Sequence, residues 1–197
     1  MRVVAGTYGG RRLRVPKGRD IRPTSDRVRE AMFSTLGDAV VGARVLDLFA
    51  GSGALGIEAL SRGATAVTFV ERDPATARVL RDNLAALGIV ADVHVTDAER
   101  FVDQPDRTSP GGRFDVVFCD PPYKLGSGVL SALLLRLLHR GWLTEGAVVI
   151  AERARHGPAL TLPERGLAVG DVRTYGDTVL YYVRRSPMTQ PSGGSSA

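Results

Sequence analysis

The sequence predicts an α/β fold built on a seven-stranded, mostly parallel sheet. From Ala43 onward, short β-branched or apolar runs alternate with helical patterns, which is typical of βαβ units. The last two runs are joined only by Tyr175-Gly176, which is too short for a crossover helix, so they should form an antiparallel hairpin. The expected strands are 44–49, 66–71, 91–96, 114–119, 146–151, 167–174 and 177–184.

Helix signals lie between several of these strands. Asp73-Pro74 is a good cap and first position for a helix that Gly88 should end. A leucine-rich helix is expected over Val129 to Leu138, before Gly141. The apolar face of the first of these helices consists of Ala77, Leu80, Leu84 and Leu87.

An N-terminal extension, residues 1–36, precedes the predicted sheet domain of residues 37–185. Its segment 2–15 predicts two short strands around a Tyr8-Gly9-Gly10 turn, because paired glycines supply the positive φ angles of a tight hairpin. A helix should follow the hairpin. Its signals are the potential caps Thr24 and Ser25 and the apolar positions Val28, Met32 and Leu36.

Composition limits the class of protein. With 197 residues and 44% hydrophobic content, the chain can bury one sizeable core. No apolar run approaches the roughly 18 residues of a membrane span, and the N-terminus lacks the apolar core of a secretory signal, so a cytoplasmic protein without membrane contact is expected. The Pro-, Gly- and Ser-rich residues 186–197 should form a disordered tail.

Several conspicuous residues predict no chemistry. The single cysteine, Cys119, excludes an internal disulfide and should be a core residue, and Trp142 is expected in the core as well. The three histidines have no metal-ligand spacing, so no metal site is expected. They are His94, His139 and His156.

A glycine-rich loop follows the first expected strand. Its glycines Gly51, Gly53 and Gly56 have the GxGxxG spacing of nucleotide-binding loops and stand between a strand and a helix. They could let a ligand approach the backbone closely, or they could serve tight packing of the strand against the helix. The loop by itself leaves both interpretations open.

Four acidic residues stand at or just past the ends of expected strands, separated by 24, 26 and 23 residues. Because the carboxyl ends of parallel strands share one edge of a sheet, the four side chains should converge on one site. The alternative is that they cap the following helices, and for Asp97 capping is nearly as well supported. The acids are Asp47, Glu71, Asp97 and Asp120.

The acids favour a cationic ligand. Asp47 precedes Gly51 by four residues and would repel the pyrophosphate of a dinucleotide, so a nucleotide-dependent oxidoreductase is the weaker interpretation. S-adenosylmethionine carries a sulfonium and an ammonium and suits this loop. Glu71 could accept hydrogen bonds from ribose hydroxyls, and Asp97 with the Ala98 backbone could receive the adenine amino group.

The stretch Asp120-Pro121-Pro122-Tyr123 follows the fourth expected strand. Proline has a fixed φ and holds the preceding residue extended, so the Asp120 carboxylate and the Pro121 carbonyl should point outward on a stiff segment. These two acceptors beside the aromatic Tyr123 suit the exocyclic amine of a nucleobase. The alternative is a rigid turn between a strand and a helix.

These motifs resemble a known family. DLFAGSGALG, the acid of FVERD and DPPY together resemble the class I S-adenosylmethionine-dependent methyltransferases that modify exocyclic amines, with their Rossmann-like sheet. IRPTSDRVREAMFSTLG, with AGTYGGRRL before it, resembles the RsmD family, and the likeness runs from about residue 2 to 184. It implies methylation of N2 of guanine 966 in 16S ribosomal RNA. DPPY alone is shared with other amine methyltransferases, so another base amine, including adenine N6 of DNA, is the alternative.

The resemblance also gives the basic N-terminus a role. Residues 1–30 contain nine Arg or Lys against three Asp or Glu, which could bind RNA phosphates. Arg22 and Thr24, with Arg11 and Arg12, are the expected substrate contacts. The expected partner is 16S ribosomal RNA in the small subunit or an assembly intermediate, bound by a monomer. A non-catalytic RNA-binding protein would use this segment alone.

Overall fold

The computed structural model describes residues 1–16, 25–104, 112–122, 124–162 and 166–185. Its seven strands form one sheet in the order β3-β2-β1-β4-β5-β7-β6, with parallel pairing from β3 to β5 and antiparallel pairing of β7 with both neighbours. This confirms the predicted fold class. The strands are β1 Arg44–Asp47, β2 Ala66–Glu71, β3 Asp92–Val95, β4 Phe114–Cys119, β5 Leu143–Ala154, β6 Leu167–Tyr175 and β7 Thr178–Arg185.

The main difference from the predicted strands concerns β5, which begins three residues earlier and ends three residues later than expected. The pairing of β4 with β5 shifts register between Phe114 and Val116. Gly146 stands in this part of β5 with φ +78°, a conformation that favours glycine. The glycine therefore lies at an irregularity inside a long strand, whereas the sequence pattern placed the start of the strand there.

Among the described residues, five α-helices and one 3-10 helix, Gly37–Val40, connect these strands or precede them. Ser25 caps the first helix by accepting a hydrogen bond from the Val28 amide, and Asp73 caps the third in the same way from the Thr76 amide. Both predicted helices after the glycine loop are present, and a further short helix, which the sequence analysis did not predict, follows Asp97. The helices are α1 Asp26–Leu36, α2 Ala54–Ser61, α3 Pro74–Ala86, α4 Ala98–Asp103 and α5 Ser127–His139.

The predicted N-terminal hairpin is present in residues 1–16, and its two arms pair antiparallel. The Val3 amide donates to the Arg11 carbonyl at 2.9 Å, and the pairing is short, with one bridge between Arg2 and Arg12. The Val4 and Ala5 amides donate to the carboxylate of Glu58 in α2, at 2.6 and 3.0 Å. The hairpin is thus bound to a helix of the main domain.

Apolar side chains pack on both faces of the sheet. One face carries Val3 and Leu13 of the hairpin together with residues of α1, α2 and α3, and the other carries α4 and α5. The division of the chain at residue 36 stays a prediction, since the hairpin shares a core cluster with β1. Cys119 and Trp142 are buried, as predicted, and the indole Nε1 of Trp142 donates to the Val102 carbonyl at 3.0 Å.

No helix within the described ranges combines the length and the apolar character needed to cross a membrane. Across the same ranges, no group of three or more His, Cys, Asp and Glu side chains is arranged to hold a metal ion.

Candidate active site

The four acids lie around one cavity of about 870 Å³ at the carboxyl edge of the parallel strands. The cavity lies at the ends of β1 and β4, between which the strand order reverses. Open α/β sheets usually bind their ligands in the crevice at such a point. Backbone hydrogen bonds continue past the end of β1, from the Leu48 amide to the Phe118 carbonyl and from the Ala50 amide to the Val70 carbonyl. The floor of the cavity is therefore fixed by the sheet itself.

Asp47 ends β1 and is 2% exposed. One of its carboxylate oxygens accepts a hydrogen bond from the Gly56 amide at 3.0 Å. Burial raises the pKa of Asp47 to about 7, the Gly56 hydrogen bond opposes this shift, and the nearby charge of Glu71 adds to it. The site thus contains a carboxyl group whose charge changes near neutral pH.

Glu71 ends β2 and is held by two backbone amides. Its carboxylate oxygens accept from the Gly51 amide at 3.0 Å and from the Asp73 amide at 2.8 Å. Because Gly51 belongs to the glycine loop, Glu71 fixes the position of that loop as well as lining the cavity. The carboxylate contributes negative charge to the wall with its orientation set by the backbone.

The three loop glycines differ in what surrounds them. Gly51 lines the cavity, and a Cβ built on it would be 4.0 Å from the nearest atom, the Phe49 carbonyl oxygen. A Cβ on Gly53 would lie 2.2 Å from Leu80, and one on Gly56 would lie 2.2 Å from the Phe69 ring. Gly53 is not among the lining residues, and the nearness of Leu80 supports the packing interpretation of this glycine, while its contact with a ligand stays a prediction.

Asp97 and Ala98 stand at the start of α4 and line the cavity. The Asp97 side chain accepts a hydrogen bond from the Glu99 amide at 2.8 Å, so it does cap the helix, as the alternative interpretation held. Capping uses one carboxylate oxygen and leaves the residue on the cavity wall. Both roles are therefore compatible at this position.

Asp120, Pro121 and Pro122 line the same cavity, just past the end of β4. Asp120 is half-buried, and the Pro122 carbonyl accepts a hydrogen bond from the Leu125 amide at 2.8 Å, which closes a turn before α5. The two prolines and this turn hold the segment in one geometry. Tyr123, the fourth residue of the motif, lies outside the described residues.

The predicted substrate contacts are only partly covered by the structure. Arg11 and Arg12 are exposed on the hairpin and do not line the cavity. Arg22 and Thr24 lie outside the described residues. Arg29 is one of the nine basic residues predicted to bind RNA phosphates, but its side chain is 1% exposed and lines the cavity.

Arg29 belongs to α1 and joins the hairpin to the cavity wall. It donates to the Arg2 carbonyl at 2.5 Å and to the Asp26 carboxylate at 2.8 Å. Burial lowers the pKa of Arg29, and the neighbouring Asp26 and Glu58 charges oppose the shift. No sequence signal separates this arginine from the exposed ones around it, because its burial depends on tertiary packing.

The chain is similar to known proteins over most of its length. Residues 1–184 match the family model described as conserved hypothetical protein 95. The ribosomal RNA small subunit methyltransferase D of Escherichia coli (strain K12) is 40% identical over 164 residues, covering 83% of this chain and 79% of the relative. The Bacillus subtilis (strain 168) protein YlbH is 40% identical over 193 residues, covering 94% of this chain and all of the relative.

This chain belongs to the RsmD family. The solved structure of Escherichia coli yhhF agrees with the fold, at 35% identity and a TM-score of 0.82, covering 94% of this chain and 97% of that one. Family membership decides against a nucleotide-dependent oxidoreductase and against a purely RNA-binding protein.

The cofactor of this family member is S-adenosylmethionine, as the sequence predicted. The cavity has a volume typical of small-molecule sites. Asp47 and Glu71 place negative charge beside the glycine loop, which complements the sulfonium and ammonium of this cofactor. Gly51 leaves open space on the cavity side, so the backbone can approach a ligand closely. The residues present therefore fit the cofactor.

Proposed function

We propose that this protein transfers a methyl group from S-adenosylmethionine to N2 of guanine 966 in 16S ribosomal RNA. The observation that carries the proposal is the position of Asp120-Pro121-Pro122 on the same cavity as Asp47 and Glu71. An acceptor-rich, stiff segment thus shares one cavity with the acids that suit the cofactor. The relative named ribosomal RNA small subunit methyltransferase D supports the class of RNA.

Cofactor binding is assigned to the glycine-loop side of the cavity. Asp47, which accepts from the Gly56 amide, would stabilise the positive charges of the methionine part. Glu71, at the end of β2, would accept from the ribose hydroxyls. Asp97 and the Ala98 backbone, at the start of α4, would receive the adenine amino group.

The chemical step is assigned to the segment that follows β4. The cofactor supplies an electrophilic methyl group on its sulfonium. Asp120 and the Pro121 carbonyl would accept hydrogen bonds from the two N–H groups of the guanine amine. These hydrogen bonds would aim the nitrogen lone pair at the methyl group and stabilise the positive charge that develops on nitrogen. Asp120 would then take the proton that the methylated amine loses. Tyr123 would stack on the base, a contact worth about 1–3 kcal/mol.

RNA binding is assigned to the N-terminal part of the chain. Arg11 and Arg12 are exposed on the hairpin, where they can reach phosphates. Arg22 and Thr24 are proposed to contact the RNA close to the target base. The substrate would be the small subunit or an assembly intermediate in the cytoplasm, met by a monomer.

Asp120→Asn tests the assignment directly. The amide keeps the size of the side chain but loses the charge and the proton acceptor, so kcat for methylation of undermethylated small subunits should fall by about 10²–10³, with the affinity for S-adenosylmethionine within about twofold of wild type. Asp171→Asn, at an exposed position in β6, is the matched control and should be unchanged. Near-normal rates for Asp120→Asn would contradict the mechanism.

The modified nucleotide should be mapped in the same reaction. Methyl label at N2 of guanine 966 is expected. If the label is on another base amine and Asp120→Asn lowers kcat by the same factor, the mechanism holds but guanine 966 is not the substrate.

A further inference from the structure

The hairpin, residues 1–16, is bound to the helix that carries the glycine loop. Besides the Glu58 contacts, the Tyr8 amide donates to the Ser61 hydroxyl at 2.9 Å, and the Thr7 amide donates to the Ser61 carbonyl at 2.8 Å. A Cβ built on Gly6 would lie 1.8 Å from the same carbonyl, so the backbone approaches α2 closely. Glu58 is fully buried and also pairs with Arg62 at 2.7 Å. These contacts join the hairpin to α2, behind the cofactor loop.

A second connection runs through one side chain of α3. Asn83 is 3% exposed, and its carbonyl oxygen accepts from the Arg14 amide at 2.8 Å. Its amide nitrogen donates to the Arg14 carbonyl at 3.0 Å and to the Ser52 carbonyl at 2.9 Å. Ser52 stands between the loop glycines Gly51 and Gly53. One buried amide therefore bonds the backbone of the hairpin and the backbone of the glycine loop at once.

The first residue of the hairpin also contacts the glycine loop. The Met1 sulfur lies 3.9 Å from the Ser52 hydroxyl, and both residues line the cavity. Asn83 itself does not line the cavity. It can influence a ligand only through the backbone that it holds.

We propose that Asn83 is a positioning residue that couples the cofactor pocket to the N-terminal hairpin. A ligand that orders the Gly51-Ser52-Gly53 backbone also fixes the Ser52 carbonyl, which stabilises the Asn83 amide in the geometry that holds Arg14. The reverse holds as well, because a binding free energy coupled between two sites acts in both directions. A hairpin held by a bound polyanion would therefore tighten cofactor binding.

The meaning of this coupling for catalysis rests on the proposed function, in which the hairpin binds RNA. Cofactor affinity would then rise once the RNA is in place. The coupling itself needs no RNA and can be tested without it, so its failure and the failure of the proposed function give different results.

Hydrogen–deuterium exchange of the full chain, with and without saturating S-adenosylhomocysteine, tests the coupling. In the wild type the ligand should slow exchange in the glycine-loop peptide and, by about fivefold or more, in the peptide covering residues 1–15, where Val4, Ala5 and Arg14 amides bond to side chains. The proposal would be overturned if the ligand slowed exchange in the glycine loop but left the exchange of residues 1–15 unchanged.

Variants at position 83 locate the effect. Asn83→Asp keeps the acceptor for the Arg14 amide and the size of the side chain but removes both donated hydrogen bonds, and Asn83→Ala removes all three. In folded samples of either variant, saturating S-adenosylhomocysteine should still slow exchange in the glycine-loop peptide but should no longer slow exchange in residues 1–15. Retained protection of residues 1–15 in Asn83→Asp would also overturn the proposal.

Asp82→Asn is the matched control. Its carboxylate lies 3.7 Å from the Arg14 guanidinium, so it touches the side chain of the same hairpin residue but not its backbone. Protection of residues 1–15 should match the wild type. Affinity for S-adenosylhomocysteine, measured by calorimetry, should fall by about three- to tenfold in the Asn83 variants and stay unchanged in this control.

Discussion

The two sides of the cavity are held in place by different means. On the cofactor side, Asp47 and Glu71 are buried, and each carboxylate accepts backbone amides, so the charges are positioned by hydrogen bonds. On the proposed amine side, Asp120 is half-buried and stands on a segment that Pro121 and Pro122 stiffen. A site that binds a cation can keep its acids buried, whereas an acceptor that must receive an incoming base has to stay accessible.

The largest expected effect concerns Asp47. Its pKa of about 7 lies above the ordinary value of 3.8, so between these values the folded protein holds a proton that the unfolded chain releases. The free energy of unfolding should therefore fall as pH rises from about 4 to about 7, by up to about 4 kcal/mol. Asp47→Asn should remove this part of the decline. Urea unfolding of both proteins at pH 5 and pH 8, without cofactor, measures the difference.

Cofactor binding gives an independent check on the same carboxyl group. A bound cation should lower the pKa of Asp47, so binding near pH 7 should release a proton from the wild type and release fewer from Asp47→Asn. Calorimetry in buffers with different ionisation enthalpies counts these protons. Equal pH dependence of stability in the two proteins would show that Asp47 is charged throughout this range.

The next effect separates two glycines of one loop. Gly53→Ala places a methyl group against Leu80 at φ +84°, so the free energy of unfolding should fall by about 3 kcal/mol. Gly51→Ala also has a positive φ, of +54°, but its methyl group would face the cavity, so the loss should be nearer 1 kcal/mol and should appear together with weaker cofactor binding. Thermal denaturation and calorimetry distinguish the two, and equal stability losses would contradict the packing role of Gly53.

A smaller effect is expected at the prolines. Pro121→Ala should lower kcat by roughly tenfold, because the proposed acceptors lose part of their fixed orientation, while cofactor affinity stays unchanged. Pro122→Ala is the matched comparison, since its carbonyl can still accept from the Leu125 amide. Its loss in kcat should be smaller. Single-turnover methylation assays measure the rates of both variants. A greater loss of rate in Pro122→Ala than in Pro121→Ala would contradict the assignment of the acceptor to the Pro121 carbonyl.

The smallest effects belong to the hairpin arginines. Arg11→Gln or Arg12→Gln should each weaken RNA binding by about threefold and reduce the salt dependence of the binding constant by about one unit of slope. Arg173→Gln, an exposed arginine of β6, is the control and should leave both unchanged. Filter binding over a series of salt concentrations gives both quantities. An unchanged slope for the hairpin variants would exclude phosphate contact at these positions.

The sheet was predictable because strand periodicity and the spacing of the acids are local signals that repeat along the chain. The same spacing predicted that Asp47, Glu71 and Asp120 would meet, since a parallel sheet places successive strand ends on one edge. The cofactor class followed from charge. These features need no knowledge of which side chains touch.

The features that sequence reasoning missed depend on contacts between distant segments. Gly53 has the spacing of a ligand-binding glycine, but the nearness of Leu80 of α3 supports a packing role. The hairpin was predicted, but its attachment to α2 was not, because the Glu58 carboxylate that accepts its amides is more than fifty residues away in sequence. Asn83 reads as an ordinary helix residue, and its role appears only where Arg14 and Ser52 approach it.

The reversal of strand order between β1 and β4 has a consequence for the stability of the whole chain. The cavity is lined by segments that lie about seventy residues apart in sequence, at Asp47 and Asp120, so it spans the first and second halves of the sheet. By mass action, a ligand at 100 times its dissociation constant adds about 2.7 kcal/mol to the free energy of unfolding. Ligands held between these two segments would therefore act as a reversible cross-link between the two halves of the protein.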